Sequence, residues 1–285
     1  MEVLRTVDEL RRWSRALRSA QGGSAGRRIG LVPTMGALHG GHVSLIRAAC
    51  AACSHVAVSL FVNPTQFGPN EDYARYPRSF EADCAIAEAE SASVVFAPTV
   101  EEMYPAGAAT FVEVAGLSER LDGRSRPGHF RGVATVVAKL FIAAEADLAF
   151  FGQKDAAQVS ILRRMAVDLR LATEIVVCPI VRDTDGLALS SRNAYLSAAE
   201  RAQALTLSRA VRLVESLAAK GERRAAVLIA AAQELFATEP AVRIDFIELV
   251  DWTTLEPVET ATPGTLFAVA AYVGSTRLID NAILA

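Results

Sequence analysis

Ile29-Gly30-Leu31-Val32-Pro33-Thr34-Met35-Gly36-Ala37-Leu38-His39-Gly40-Gly41-His42 decides how this 285-residue chain folds. The apolar run Ile29 to Val32 reads as a strand, and the pattern from His42 to Cys53 reads as a helix. Two histidines three residues apart therefore stand where a strand gives way to a helix. Residues i and i+3 share a helix face, so both imidazoles can point the same way. The first N–H groups of a helix lack intrahelical partners and carry partial positive charge. Gly40 and Gly41 present no side chain that would block a ligand. This combination predicts a site for phosphate groups.

Outward from that segment the same alternation repeats. Strand-like runs cover Ile29 to Val32, His55 to Val62, Ser93 to Phe96, Asp147 to Phe151 and Glu174 to Cys178. Several are continuously apolar, as strands buried on both faces are. Helical patterns fall at 79–91, 131–145 and 154–170, and a capping box, Thr6-Val7-Asp8-Glu9, opens a first helix through about Ala20. Gln21 to Gly26 reads as a flexible break. Alternating strands and helices predict an α/β fold, a Rossmann-like parallel sheet with flanking helices. Ligands of such sheets bind beyond the carboxyl ends of the strands. The segments 33–42, 63–66 and 152–155 each follow a predicted strand directly, so they gather at one edge.

After residue 180 the pattern changes. Val181 to Asn193 is a polar, turn-rich loop, followed by alanine-rich helices near 197–219 and 222–237. Strands at Arg243 to Val250, Thr265 to Val273 and Thr276 to Asn281 complete a smaller α+β C-terminal domain. The expected division is 1–180 and 181–285, the second domain closing over the active site.

Charge and composition exclude several classes. Net charge is −3, with no long basic run, which argues against a nucleic-acid surface. No stretch of about 18 apolar residues predicts a membrane span. The first residues lack the pattern of a secretory signal, so the expected location is cytoplasmic. Cys50 and Cys53 form a C-x-x-C late in an alanine-rich helix pattern, without a second such pair, and read as helix packing. His39 and His42 lack a third partner of the metalloprotease kind, so no protein metal site is expected. P-loop, G-x-G-x-x-G and G-x-S-x-G patterns are missing.

The other candidates are weaker one by one. Lys154 and Gln158 are i and i+4 on one helix, with Gly152 ending the strand before them. Lysine is a compact charge suited to phosphate, and Asp155 can accept from a ribose. The bland alternative is a solvated lysine at a helix start. Ser190, Ser191 and Arg192 offer two hydroxyls and a guanidinium on the loop between the predicted domains, where a mobile clamp could close. Gln66 and Gln158 present amides suited to a neutral polar substrate with hydroxyl and carboxylate groups.

P-T-M-G-A-L-H-G-G-H at 33–42, F-V-N-P-T-Q-F at 61–67, F-F-G-Q-K-D at 150–155 and G-L-A-L-S-S-R-N at 186–193 together resemble the pantoate–β-alanine ligases. The H-x-G-H element alone marks only the wider nucleotidylyl-transferase superfamily. The resemblance covers nearly the whole chain. It implies a homodimer that uses ATP and Mg²⁺ to join pantoate to β-alanine through a pantoyl adenylate. It implies an ATP site of Met35, Gly36, Ala37, Leu38, His39, Gly40, Gly41 and His42, completed by Gly152, Gln153, Lys154, Asp155, Val181, Leu189, Ser190, Ser191 and Arg192. His42 is the implied proton donor, with His39, Lys154 and Arg192 sharing the charge of the reaction. Gln66 is placed on pantoate and β-alanine and Gln158 on pantoate, with Pro33, Met35 and Asn63 on the same substrate side. Three positions depart from the family pattern: Leu189 stands where a methionine is usual, and Ala156 and Ala157 replace an aromatic residue and a glutamine. An adenylyltransferase acting on a phosphorylated acceptor is the competing class, and it would need a further cationic cluster.

Overall fold

The computed structural model describes residues 1–19, 28–69 and 71–285. The predicted break at Gln21 to Gly26 and the helix end at Ala20 lie outside these residues. Two compact units divide the chain.

The first unit comprises Met1–Ser118, Arg126–Gly152 and Ile161–Cys178. Its centre is a six-stranded, wholly parallel sheet of β1 (Glu2–Leu4), β2 (Ile29–Thr34), β3 (His55–Leu60), β4 (Val94–Phe96), β5 (Leu148–Gly152) and β6 (Glu174–Cys178). The order across the sheet is β1-β4-β3-β2-β5-β6. From β2 the chain steps outward through β3 and β4, then returns to the other side of β2 for β5 and β6. Strand order thus reverses between β2 and β5, and the carboxyl end of such a reversal is where open parallel sheets bind ligands. Connections are made by α1 (Val7–Ser19), α2 (Gly40–Ala52), α3 (Phe80–Ala89), α4 (Val100–Met103) and α6 (His129–Ala144). The predicted Thr6–Glu9 box opens α1: Glu9 N donates to Thr6 Oγ1 at 3.2 Å and Thr6 N to Glu9 Oε2 at 2.9 Å. Val32, Ile46, Ala49, Val56, Val58, Val95 and Phe150 form a core in which α2 packs on the sheet. That burial is the main force holding the histidine segment to β2. Cys53 ends α2 against Gly30, where its sulfur packs beside the strand.

The second unit comprises Glu119–Ser125, Gln153–Ser160 and Pro179–Ala285. An antiparallel sheet of β7 (Val242–Asp251), β8 (Thr265–Val273) and β9 (Thr276–Ile283) runs in that order. Helices α8 (Ala198–Ala219) and α9 (Ala225–Ala237) bury Leu207, Val211, Val214, Leu228 and Phe236 with Leu249, Phe267 and Val269 of the sheet. Two segments from before residue 180 belong to this unit, for polar reasons. Short α5 (Asp122–Ser125) is tied by Arg277 to Asp122 at 2.6 Å and by Arg124 to Glu248 at 2.5 Å. The start of α7 (Ala156–Asp168) is held by Trp252, whose Nε1 donates to Ala156 O at 3.2 Å while its carbonyl accepts from Ser160 Oγ at 2.5 Å. Ala156 and Ala157 are both buried there.

Candidate active site

The chain leaves β2 through a turn that its own sequence could not hold. Gly36 and Ala37 both have left-handed backbones, φ 84° and 51°. Successive N–H groups in such a turn form a concavity for an anion, and the anion here is internal. Asp83 of α3, 2% exposed, accepts from Ala37 N at 2.9 Å and Leu38 N at 2.7 Å. Ser79 Oγ donates to the same carboxylate at 3.1 Å. A Cβ on Gly36 would stand 2.9 Å from Asp83 Oδ2, so glycine is needed for space as well as for φ. Thr34 completes the turn, its Oγ1 donating to Ser59 O at 2.7 Å and accepting from Gly36 N at 3.1 Å.

Helix α2 begins at Gly40, two residues before the predicted start, and His39 is its N-cap. His39 Nδ1 accepts from Gly41 N at 3.1 Å, and His42 Nδ1 accepts from His39 N at 3.3 Å. The two histidines form a reciprocal capping box, in the places usually held by Ser or Thr and by Glu or Gln. Their rings lie 4.1 Å apart, centroid to centroid. An imidazole that accepts at Nδ1 carries its proton at Nε2. The cap therefore sets the tautomer of both rings and makes each Nε2–H a donor.

The second arm of the first unit is the 3₁₀ turn Pro64–Gln66 beyond β3. Asn63, 1% exposed, is saturated within the protein. Its Oδ1 accepts from Thr65 N, Thr65 Oγ1 and Tyr104 OH at 3.3, 2.9 and 2.8 Å. Its Nδ2 donates to Gly132 O and Gln66 Oε1, both at 3.1 Å. Gln66 Nε2 in turn donates to Met35 Sδ at 3.0 Å, so Met35, Asn63 and Gln66 are brought together. The carbonyl of Gln66 is held as well, accepting from His129 Nδ1 at 2.8 Å and Arg126 Nη2 at 3.3 Å. His129 donates at Nδ1, so its Nε2 accepts from Arg126 Nη1 at 3.0 Å. Arg126 also grips both oxygens of Glu71, at 2.7 and 2.6 Å. Burial alone would raise the Glu71 pKa, but the Arg126 guanidinium outweighs it and holds the carboxyl below its ordinary range.

Within the second unit the 3₁₀ turn Gln153–Asp155 carries Lys154, whose Nζ lies 3.6 Å from Asp155 Oδ1. Gln158 follows on the first turn of α7, half-buried. The segment 181–193 closes on itself through backbone bonds. Leu189 N donates to Val181 O at 2.9 Å, and Asp183 N to Leu187 O at 2.8 Å. Arg182 clasps Asp280 at 2.6 and 2.9 Å. Ser190 then caps the 3₁₀ turn Ser191–Tyr195, accepting from Arg192 N at 3.3 Å, and Asn193 Nδ2 donates to Ala188 O at 3.0 Å.

Sequence reasoning named the candidate side chains and passed over those that hold them. Asp83, Arg126, His129 and Tyr104 went unread. The one legible signal was Asp83, an acid four residues before Ala87 on the buried face of α3. Among the described residues no group of three His, Cys, Asp or Glu side chains is placed to hold a metal ion. Among them too, no helix is long and apolar enough to cross a membrane.

A parallel sheet whose strand order reverses at β2 and β5, with a histidine-capped helix leaving that point, defines an α/β protein with its candidate site at the switch. The particular family follows from comparison: the sequence model of the pantoate-beta-alanine ligases matches residues 2–283, and the chain belongs to that family of ATP-dependent ligases. A pantothenate synthetase of Acidobacterium capsulatum is 63% identical over 258 residues, 90% of this chain and 86% of that protein. The crystal structure of pantothenate synthetase from Thermus thermophilus superposes with a TM-score of 0.92 at 43% identity, over 99% of both chains. A pantoate-beta-alanine ligase from Francisella tularensis, in complex with beta-gamma ATP and beta-alanine, gives 0.79 at 31% identity, over 99% of this chain and 97% of that one.

Proposed function

We propose that this chain condenses (R)-pantoate with β-alanine to pantothenate, through a pantoyl adenylate, with release of AMP and pyrophosphate. The observation that carries the proposal is the reciprocal histidine cap at the head of α2, in a chain that matches the ligase family from residue 2 to residue 283. When a carboxylate attacks the α-phosphate of ATP, negative charge builds on a five-coordinate phosphorus and on the leaving pyrophosphate. Preorganised donors act most strongly where such charge develops. The Nε2–H groups of His39 and His42 are donors already oriented, so no rotation or proton shift precedes the step. His42 is assigned as the principal proton donor. Lys154 and Arg192 add positive charge, and Met35 to Gly41, Gly152 to Asp155, Val181 and Leu189 to Ser191 complete the ATP-binding set.

Pantoate is assigned to Gln66, Gln158, Pro33 and Met35, with Asn63 acting through the Gln66 amide it holds. Gln66 also receives β-alanine, whose unprotonated amine attacks the acyl carbon and displaces AMP. The second step needs little acid–base help, because AMP is a good leaving group. Mg²⁺ is treated as part of the ATP substrate. The acid at the histidine turn, Asp83, has both oxygens engaged by backbone N–H groups, so phosphate oxygens and water are the fitting donors for this hard cation. The Rossmann-type ATP site, the homodimer, the closing second domain and the cytoplasmic location belong to the same reading.

The test is exchange of labelled pyrophosphate into ATP with Mg²⁺ and pantoate but no β-alanine. Exchange that depends on pantoate is the expected result. Exchange that instead requires a phosphorylated acceptor would make the protein an adenylyltransferase and refute the ligase.

A further inference from the structure

Asn281 lies near the end of β9 and is 4% exposed. Its Nδ2 donates to two consecutive carbonyls, Gln153 O at 3.0 Å and Lys154 O at 2.9 Å. Its Oδ1 accepts from Gln153 Nε2 at 3.2 Å. A primary amide has two hydrogens on nitrogen, and the two carbonyls take one each. All three bonds lie inside the second unit and end on one short turn, Gln153–Asp155. A single 3₁₀ turn has little hold on itself, so its position is set by what grips it from outside.

The grip is itself anchored. Asn281 pairs with Ala268 in the β8–β9 ladder, and its own N–H donates to Asp280 Oδ1 at 2.8 Å. Asp280, also buried, is clasped by both terminal nitrogens of Arg182. The donor thus sits on a strand that cannot drift without breaking several buried contacts.

We propose that Asn281 is a positioning residue for Lys154. It touches no reacting atom in the proposed reaction and acts through the backbone of residues 153 and 154. A lysine side chain is a long flexible stem, so its ammonium can be aimed only if its Cα is held. Bonds to the carbonyls on both sides of that Cα supply this hold. The inference rests on the assignment of Lys154 to the ATP phosphates.

Asn281→Asp tests it most sharply. Aspartate is close to isosteric, has no hydrogen to donate, and would set a carboxylate oxygen against two carbonyl oxygens. Pantoate-dependent pyrophosphate exchange is measured in the unaltered protein, Asn281→Asp, Lys154→Ala and the double variant, and circular dichroism and thermal melting confirm folding. The expected result is a loss of about tenfold or more from Asn281→Asp in the unaltered background, as for a misaimed catalytic group. The same change should cost less than about twofold when Lys154 is already alanine, since coupled residues are non-additive. Should the aspartate variant not fold, Asn281→Ala gives the same comparison. Equal losses in both backgrounds would overturn the inference and leave Asn281 with a purely structural role. Full exchange in Lys154→Ala would refute the assignment of Lys154 itself, a different outcome from failure of the clasp alone.

Discussion

Replacing Gly132 by alanine should separate stability from activity. Gly132 lies in α6 where the helix meets the Pro64–Gln66 turn. A Cβ there would stand 2.5 Å from the Thr65 carbonyl carbon and 2.6 Å from Gln66 N, and closer still to Thr65 O. Carbon contacts relax at about 3.5 Å, so helix and turn must part by about 1 Å. Overpacking of this kind typically destabilises by about 1–3 kcal/mol. Against it, alanine in place of glycine favours an interior helix position by up to about 1 kcal/mol. The net loss of stability is then at most about 3 kcal/mol, less than the roughly 5–15 kcal/mol that is typical of a domain, and the protein stays folded. The geometry has no such compensation. Asn63 donates to Gly132 O and to Gln66 Oε1, so a displaced helix pulls on the amide that aims Gln66. Misplacement by about 1 Å can reduce rate by about a hundredfold. We expect kcat/KM for pantoate to fall between about ten- and a hundredfold, with ATP affinity by calorimetry nearly unchanged. A folded variant with unaltered kcat/KM for pantoate would refute the reasoning, because the turn would then have moved without consequence.

Other expectations follow from the same contacts. His42→Ala should lower turnover by more than about a hundredfold, as loss of one transition-state donor does, in a protein that remains folded; near-normal turnover would remove His42 from the mechanism. Asp83→Asn keeps one acceptor and sets an amide NH₂ against a backbone N–H, so urea unfolding should show a loss of about 1.5–3 kcal/mol, the range for a hydrogen bond to a charged group. A denaturation midpoint equal to that of the unaltered protein would contradict the internal-anion account of the Gly36–Leu38 turn. Burial first, and Asp147 second, push the Cys53 thiol up from 9.0 to about 11. The folded state favours the neutral thiol, so the stability this contributes is complete below pH 9 and is lost as pH rises through about 11. Alkylation followed by mass spectrometry should therefore find Cys53 protected at pH 9 in the folded protein, and labelling there at the rate of an unfolded cysteine would show otherwise.

The parallel sheet was legible because burial on both faces leaves a continuous apolar run. His55–Leu60 and Glu174–Cys178 follow the predicted strands closely, and Thr265–Val273 coincides with its prediction. Glu2–Leu4 was not legible, since three residues carry no periodicity and the strand exists only through pairing with Val94–Phe96. Helices α4 and α5, of four residues each, were missed for the same reason. The histidine segment was legible as the turn from strand to helix, but His39 proved to be the cap of α2 rather than part of its face. Two histidines in place of serine and glutamate give no familiar cap signature, and only the bonds at Nδ1 reveal one. Segment 181–193 was read as a polar, turn-rich loop. Its polar groups close on each other and on Asp280.

Of the residues that sequence reasoning passed over, all but Tyr104, which donates to the Asn63 side chain, hold backbone. Asp83 accepts from the N–H groups of Ala37 and Leu38. His129 and Arg126 donate to the carbonyl of Gln66. Asn281 donates to the carbonyls of Gln153 and Lys154. A side chain that binds another side chain needs a partner of matching type, and that match can be sought in the sequence. Every residue has a carbonyl, so a side chain that binds backbone leaves no mark at its receiving end. What such a clamp does leave is a buried polar residue in an otherwise apolar element, since an unpaired polar group there would cost too much to be tolerated. Asp83 shares the buried face of α3 with Ala87, and Asn281 is buried in β9 beside Ala282, whereas Arg126 and His129 sit in a polar stretch. Asp83 thus left a trace in the pattern of its helix, whereas Arg126 and His129 bind the carbonyl of Gln66, 60 and 63 residues away, and required the fold.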